Sequence, residues 1–459
     1  MDNPAVTEPA VQKLDAEKHN PDTTSSQPRS QKQDHIHHHH HHQSKNDHGW
    51  RRIVRNFSPS WFSVTMGTGI VSNLFIAIPW QSSWLHYFSI IFFILNILLF
   101  SSFFLISVAR YTIWPEIWTV MIEDPVNSLF LGTIPMGFAT IIRSFMAICV
   151  PSWGEWAVWF AFGLWVLDSL VAVAVTVSLG ILLMSASHQR SLDSITAAQL
   201  LPIAATIVAA STGSEVARIV PDPQVSLGTV IASYVMWGMG VPMALVVLVI
   251  YYQRLALHKM PPREVIVSAF LPLGPLGLGG YTILYLGKVS AELFPKTNTL
   301  DPMAGRIAYI LGFFVALIMW AYGLIFFALA LASIYKARPF PFNMGWWGFT
   351  FPLGVYALST ILMGNELPSR FFRVLGTIFA AAVILLWIYI FVRTAIGAWS
   401  GKLFNAPCLA NLKDREPEAR TLEENGEMEK VIDLAENKTN GNASAESRER
   451  KTHRPQDAD

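Results

Sequence analysis

The sequence predicts an all-α polytopic membrane protein, with ten transmembrane helices arranged as five helical hairpins around a central pore. Three observations carry this reading. First, 52% of the 459 residues are apolar and only 14% are Asp, Glu, Lys or Arg, against roughly 25% charged in an ordinary soluble domain. Second, the charges are unevenly spread: about 27 of the 65 lie between Asn56 and Trp399, so the long middle is roughly 8% charged and the ends about one third. Third, the middle divides into stretches of about 20 apolar residues, the length that crosses a hydrocarbon core near 30 Å thick as a helix. A water-facing fold of this size could not cover itself with so few charges, which excludes a large soluble enzyme. The net charge of +1 leaves no basic field to attract phosphates, so a nucleic-acid partner is excluded and membrane lipid is the expected surrounding.

In chain order, residues 1–55 read as a disordered cytoplasmic tail, with too few large apolar side chains to offset the entropy of ordering. Its His35 and the run His37 to His42 fit a metal-binding tract, a low-complexity tract or a purification tag. Residues 56–400 form the membrane domain. The ten expected spans are Trp61–Trp80, Trp84–Val108, Val126–Val150, Trp156–Met184, Ala197–Val220, Leu227–Tyr252, Val265–Val289, Met303–Ile334, Met344–Met363 and Phe371–Ala398. No cleavable signal peptide precedes them, so the first span is expected to act as its own targeting signal. Residues 401–459 read as a second disordered tail of alternating charge, with Glu423 to Asp433 as a short exposed helix.

Loop charges set the orientation. With a cytoplasmic N-terminus, the inner flanks hold roughly twelve Lys and Arg, including Arg51, Arg52, Arg55, Arg254, Lys259, Arg263, Lys336 and Arg338, against about seven outside. Both termini are then cytoplasmic, and the sequons at Asn437 and Asn442 stay unglycosylated. Cys149 and Cys408 match neither a disulfide framework nor a zinc spacing, so no metal and no cofactor is expected.

Odd and even spans differ in kind. The first contains Met66-Gly67-Thr68-Gly69 and Asn73, the third Gly132-Thr133-Ile134-Pro135-Met136-Gly137, the seventh Leu273-Gly274-Pro275-Leu276-Gly277, and the ninth Phe351-Pro352-Leu353-Gly354. The second is an unbroken run of Phe, Ile and Leu. A broken helix in lipid is tolerated where protein or a water-filled cavity satisfies the freed backbone groups. The odd helices are therefore expected to line the lumen, with exposed amides and half-helix positive ends drawing anions inward. Close packing through small residues is the alternative. On the pore reading, Gly67, Thr68, Gly69, Asn73, Thr133, Pro135, Gly137, Pro275, Gly277, Pro352 and Gly354 form the substrate path.

Arg143, Arg218 and Lys288 fall toward the outer ends of odd helices. They suit either an electropositive exit vestibule or ordinary snorkelling to headgroups. Glu215 and Arg218, one turn apart, are expected to pair. Asp168 lies well inside the fourth span, where a carboxyl must find a donor or a proton. It is read either as a proton-carrying site or as a structural hydrogen-bonding group. Phe351, beside Pro352, suits a hydrophobic gate, with Phe349 as the other candidate.

These motifs, in this order on successive odd helices, resemble fungal sulfite efflux pumps of the tellurite-resistance and dicarboxylate transporter family, which also holds plant slow anion channels and yeast malate permease. The resemblance covers residues 56–400. It implies a pore within each subunit of a homotrimer, a pore phenylalanine matched by Phe351, and an acidic residue in the fourth helix matched by Asp168. The expected function is a plasma-membrane transporter that exports sulfite or bisulfite and confers sulfite tolerance. A proton-coupled dicarboxylate carrier or a gated anion channel is the alternative. An enzyme is not expected, since the middle has no His-Glu-x-x-His and no pair of intramembrane aspartates. Gly287-Lys288-Val289 lacks the spacing of a phosphate-binding loop, so ATP hydrolysis is not expected either.

Overall fold

The structure, a computed structural model, describes residues 49–183, 192, 195–258, 260–404, 406 and 409. The histidine tract, Lys259, Cys408, both sequons and the segment Glu423 to Asp433 lie outside the described residues. Among the described residues there is no strand. Ten long helices dominate: α1 (Phe62–Ala77), α2 (Ser83–Ile113), α3 (Thr133–Ile148), α4 (Glu155–Leu183), α5 (Leu200–Ile219), α6 (Pro223–His258), α7 (Leu273–Thr297), α8 (Ala304–Ala337), α9 (Thr350–Glu366) and α10 (Arg370–Trp399).

Nine helical segments among the described residues are long and apolar enough to cross a membrane. The expected tenth is α1, which has only 16 residues. At 1.5 Å per residue it is about 24 Å long, and the 3₁₀ turn Pro59–Trp61 leading into it adds about 6 Å. The first boundary also shifts, because Gly49–Arg55, read from sequence as tail, is a short helix.

Burial separates the helices into two shells. Every residue of α1 from Phe62 to Phe75 is buried. In the segments containing α3, α5, α7 and α9, 67% to 94% of the central stretch is buried, against 22% to 39% for α2, α4, α6, α8 and α10. The outer helices expose Leu98, Leu170, Ile318 and Leu385, apolar side chains that only lipid or another apolar surface would cover. Each inner helix packs against the outer helix that follows it, which makes five hairpins. Around the inner shell α1 meets α3, α3 meets α5, α5 meets α7, α7 meets α9, and α9 returns to α1.

Lipid tails are as apolar as leucine, so helix association in a bilayer relies on close packing and interhelical hydrogen bonds. Buried indole N–H groups supply many of these. Trp165 on α4 donates to the Ala209 carbonyl of α5 at 3.0 Å, and Trp237 on α6 to the Gly279 carbonyl of α7 at 2.8 Å. Trp320 on α8 donates to Thr360 Oγ1 of α9 at 2.9 Å, and Trp387 on α10 to Thr68 Oγ1 of α1 at 3.1 Å. Between α2 and α3 the link is Asn96 Nδ2 to Thr140 Oγ1, 3.1 Å. Each outer helix is thereby held in rotation as well as in place.

Candidate functional site

All five inner helices begin in the same way. A 3₁₀ turn precedes each: Pro59–Trp61, Ser128–Gly132, Ala197–Gln199, Arg263–Phe270 and Met344–Phe349. In four of them a proline is the third α-helical residue, namely Pro135, Pro202, Pro275 and Pro352. The sequence signal of a broken helix is thus a change of helix type, not a kink that bares the backbone. Proline is suited to that place, because the first turn has no intrahelical partner for its amides and the missing N–H is not needed.

The five starts surround one vestibule of about 460 Å³, lined by Ser60, Thr133, Thr196, Glu264 and Asn343 among others. Thr196 and Asn343 cap their turns, accepting the amides of Ala198 and Gly345. Helix N-termini carry partial positive charge, so five of them around one opening favour an anion without any buried lysine.

Deeper, a much smaller cavity of about 20 Å³ is lined only by apolar groups, including Met66, Met136, Leu201, Phe351, Pro275 and Pro352. That space holds about one water. Met66, Leu201 and Leu271 line both spaces, which puts the constriction directly beneath the vestibule. Phe351 is 4% exposed. Phe349 sits elsewhere, its ring 4.9 Å from Phe270 and 5.6 Å from Trp346. Between the two candidates for a gate, the geometry selects Phe351 as the one facing the cavity.

The predicted path residues separate into two groups. Pro275, Pro352 and Thr133 line the cavity or the vestibule. The glycines instead sit where helices touch. A Cβ on Gly277 of α7 would come within 2.8 Å of Tyr356 Cα on α9, and one on Gly354 of α9 within 2.5 Å of the Ile70 side chain on α1. Gly67 faces Thr350 and Trp347, Gly69 faces Thr140 and Asn96, and Gly137 faces Thr65. For these five the expectation of a pore lining gives way to close packing between helices. Thr68 is likewise structural, donating to the Val64 carbonyl and accepting the Trp387 indole. Pro135 is buried in the first turn of α3. Asn73 accepts a hydrogen bond from Ser144 on α3 at 3.0 Å, while its Nδ2 has no partner among the described residues.

At the opposite end the three expected vestibule cations are not bare. Arg143 on α3 forms an ion pair with Glu215 on α5, Nη2 to Oε1 2.8 Å, and donates to the Tyr281 hydroxyl of α7 at 2.7 Å. Tyr281 in turn donates to the same Glu215 oxygen at 2.8 Å. The expected Glu215–Arg218 pair is therefore replaced by a link across three inner helices, and Arg218 donates to Tyr285 at 3.1 Å. Lys288 pairs with Glu366 of α9 at 2.7 Å, and Tyr309 donates to the second Glu366 oxygen. Arg218 is also within electrostatic reach of Glu292, so three cations meet three carboxylates and this end gains no net positive charge from them.

Asp168 is 2% exposed, and neither carboxyl oxygen has a hydrogen-bond partner among the described residues. The reading of Asp168 as a structural hydrogen-bonding group finds no donor. Sequence reading also passed over two cations. Arg110, fully buried, donates to the Phe57 carbonyl at 2.6 Å. Lys402, assigned to the tail, lines the vestibule. Nothing local in the sequence marks either position, since both depend on chain segments brought together from far apart.

Five buried helices wrapped by five apolar ones, with a vestibule that narrows to an apolar constriction, define a multi-pass membrane protein of the channel and transporter class. The chain belongs to the SLAC1 family, described as voltage-dependent anion channels, whose profile matches residues 56–395. Among curated relatives it is 49% identical over 351 residues to Sulfite efflux pump SSU1 of Arthroderma benhamiae, covering 76% of this chain and 93% of that protein. It is 29% identical over 355 residues to Sulfite efflux pump SSU1 of Candida albicans, 73% of this chain and 72% of that protein. Similarity to the Malic acid transport protein of Schizosaccharomyces pombe is lower, 24% over 352 residues.

Proposed function

We propose that the chain exports sulfite or bisulfite across the plasma membrane, through a path enclosed by its own five inner helices. The observation that carries this reading is the gathering of five helix N-termini around one vestibule above an apolar constriction. The names of the fungal relatives support sulfite as the anion. Under this reading α1, lengthened by its 3₁₀ turn, is the tenth span. The vestibule faces the cytosol together with both termini, and the exposed apolar faces of outer helices leave room for a homotrimer. The protein transports and does not catalyse, and calls for no metal or cofactor.

A helix-dipole vestibule collects anions loosely, and the apolar constriction sets the barrier. Phe351, lining that constriction beside Met66 and Met136, is the gate: apolar walls this close exclude water and strip the ion of hydration. A proton-coupled carrier of dicarboxylates would need carboxylate-specific donors, for which a bidentate arginine is the natural device. The cavity lining is apolar, which favours the smaller oxyanion.

The test is a set of anion currents with sulfite, nitrate, chloride and malate, for the wild type and Phe351→Ala. Removing about 1.4 kcal/mol of barrier raises a rate tenfold, so sulfite current in the variant is expected to rise by about that factor. Absence of current for every anion would count against a pore. Malate flux without sulfite flux would replace this reading with the carrier.

A further inference from the structure

The segment after α10 does not leave the membrane domain at once. Gly401 takes a left-handed conformation, φ 71°, which glycine alone adopts without strain, and its amide bonds back to the Ala398 carbonyl. Leu403 then returns its amide to Gly397 and packs its side chain where a Cβ on Gly397 would stand. The Phe404 ring stacks on Trp61 at 4.9 Å and 16°, and the Ala406 amide donates to Asn56 Oδ1 at 3.3 Å. Residues 400–404 and Ala406 are thus tied to the segment leading into α1, and Lys402 and Leu403 lie in the wall of the vestibule.

Among the described residues Lys402 is the one cation lining that space, and it belongs to neither of the two ion pairs found there. Its surroundings suit an oxyanion. Ser58 and Ser60 line the same space and share a hydrogen bond of 2.6 Å. One hydroxyl donates in that bond, so the other keeps its hydrogen for a ligand. The single carboxylate of the lining is Glu264, which weakens the field without cancelling the contribution of the helix ends. An ammonium on a flexible stem binds as a point charge and lets go readily, the property a conduit needs at its mouth.

We infer that Lys402 is the anion-capture residue of this path, held at the mouth by the turn at Gly401 and working with the Ser58–Ser60 hydroxyl pair. The inference rests on reading the vestibule as the side that sulfite enters. It assigns a transport role to a residue beyond the last membrane span, and it makes the Trp61–Phe404 stack part of that mouth.

The test uses the full chain in vesicles of zwitterionic lipid alone, with sulfite flux measured against concentration at low and high ionic strength. Charge at a channel mouth concentrates its ion by about tenfold or more. Lys402→Gln is expected to raise the half-saturating sulfite concentration about three- to tenfold at low salt and to leave the maximal flux near wild type. The difference shrinks at high salt, where screening reaches within about 3 Å at 1 M. Lys402→Arg keeps wild-type behaviour, which separates lost charge from lost folding. Gly401→Ala keeps the ammonium but displaces it, and reproduces the Lys402→Gln shift. Identical concentration dependence for wild type and Lys402→Gln at low salt overturns the capture role and leaves sulfite export standing. A Lys402→Gln effect that arises only when anionic lipid is added assigns Lys402 to headgroups and likewise overturns it. No sulfite flux in the wild type overturns both readings.

Discussion

Arg143 and Glu215 meet at a depth where neither charge is well hydrated, their side chains 17% and 14% exposed. Each is held by the other and by Tyr281, which donates to the carboxylate and accepts from the guanidinium. Removing one partner of such a pair leaves a charge with no compensation, at a cost of about 3–5 kcal/mol, whereas replacing both by apolar groups of similar volume is often neutral. Glu215→Ala should therefore lower the unfolding temperature of the detergent-solubilised protein markedly. Glu215→Gln, which keeps an acceptor for Tyr281, should lower it less. The double change Arg143→Met with Glu215→Leu should recover most of the loss. An unfolding temperature for Glu215→Ala equal to wild type would mean that the cluster adds nothing to the fold. From sequence alone the natural partner of Glu215 is Arg218, three residues on along the same helix. The pairing that forms crosses from α5 to α3 over 72 positions, and no helical spacing can announce it.

Between helices, glycine position decides how closely backbones approach. Gly277 and Gly274 stand one turn apart on α7, yet a Cβ on Gly277 would press on the Tyr356 backbone of α9 while one on Gly274 meets nothing within 4 Å. Overpacking where backbones touch costs about 1–3 kcal/mol. Gly277→Ala should thus destabilise by about that amount, and Gly274→Ala, which lines the central cavity, should leave stability alone and reduce sulfite flux by narrowing the path. Unfolding and flux measured on the two variants give opposite signatures, and a pair that behaved alike would contradict the arrangement. The same contrast explains what was legible in the sequence. The alternation of apolar outer and glycine- and proline-rich inner helices follows from lipid solvation, and it is visible in a linear pattern. Which glycine faces a neighbouring backbone and which faces the lumen is not, because Gly274 and Gly277 look alike in one dimension. Prolines misled in a related way. Pro135, Pro275 and Pro352 do mark special turns, but the 3₁₀ turns before them absorb the break that their sequence suggests. Asp168 differs again, since its place in the fourth span is plain from sequence, while the lack of a donor around it among the described residues depends on the helices packed against α4.

Across the whole molecule, the scarcity of fixed charge along the path governs energetics. The cavity lining is apolar, the far end sets three cations against three carboxylates, and the vestibule relies on helix ends and Lys402. An ion held so weakly is driven by the gradients across the membrane more than by binding. One elementary charge moving through 100 mV changes energy by about 2.3 kcal/mol, and about 1.4 kcal/mol corresponds to tenfold in concentration. An interior-negative potential of about 100 mV therefore sustains roughly a fiftyfold outward gradient of a monoanion with no other energy source. Vesicles holding the protein and clamped at that potential by a potassium gradient with an ionophore should concentrate bisulfite outward to that ratio. For the dianion sulfite the ratio is the square, so the slope of gradient against potential reports the charge carried. Collapsing the potential at constant pH should abolish the gradient. A gradient that survives the collapse and instead follows a pH difference would mean that protons move with the anion, and would turn attention from the constriction at Phe351 to the carboxyl of Asp168, which has no hydrogen-bond partner among the described residues.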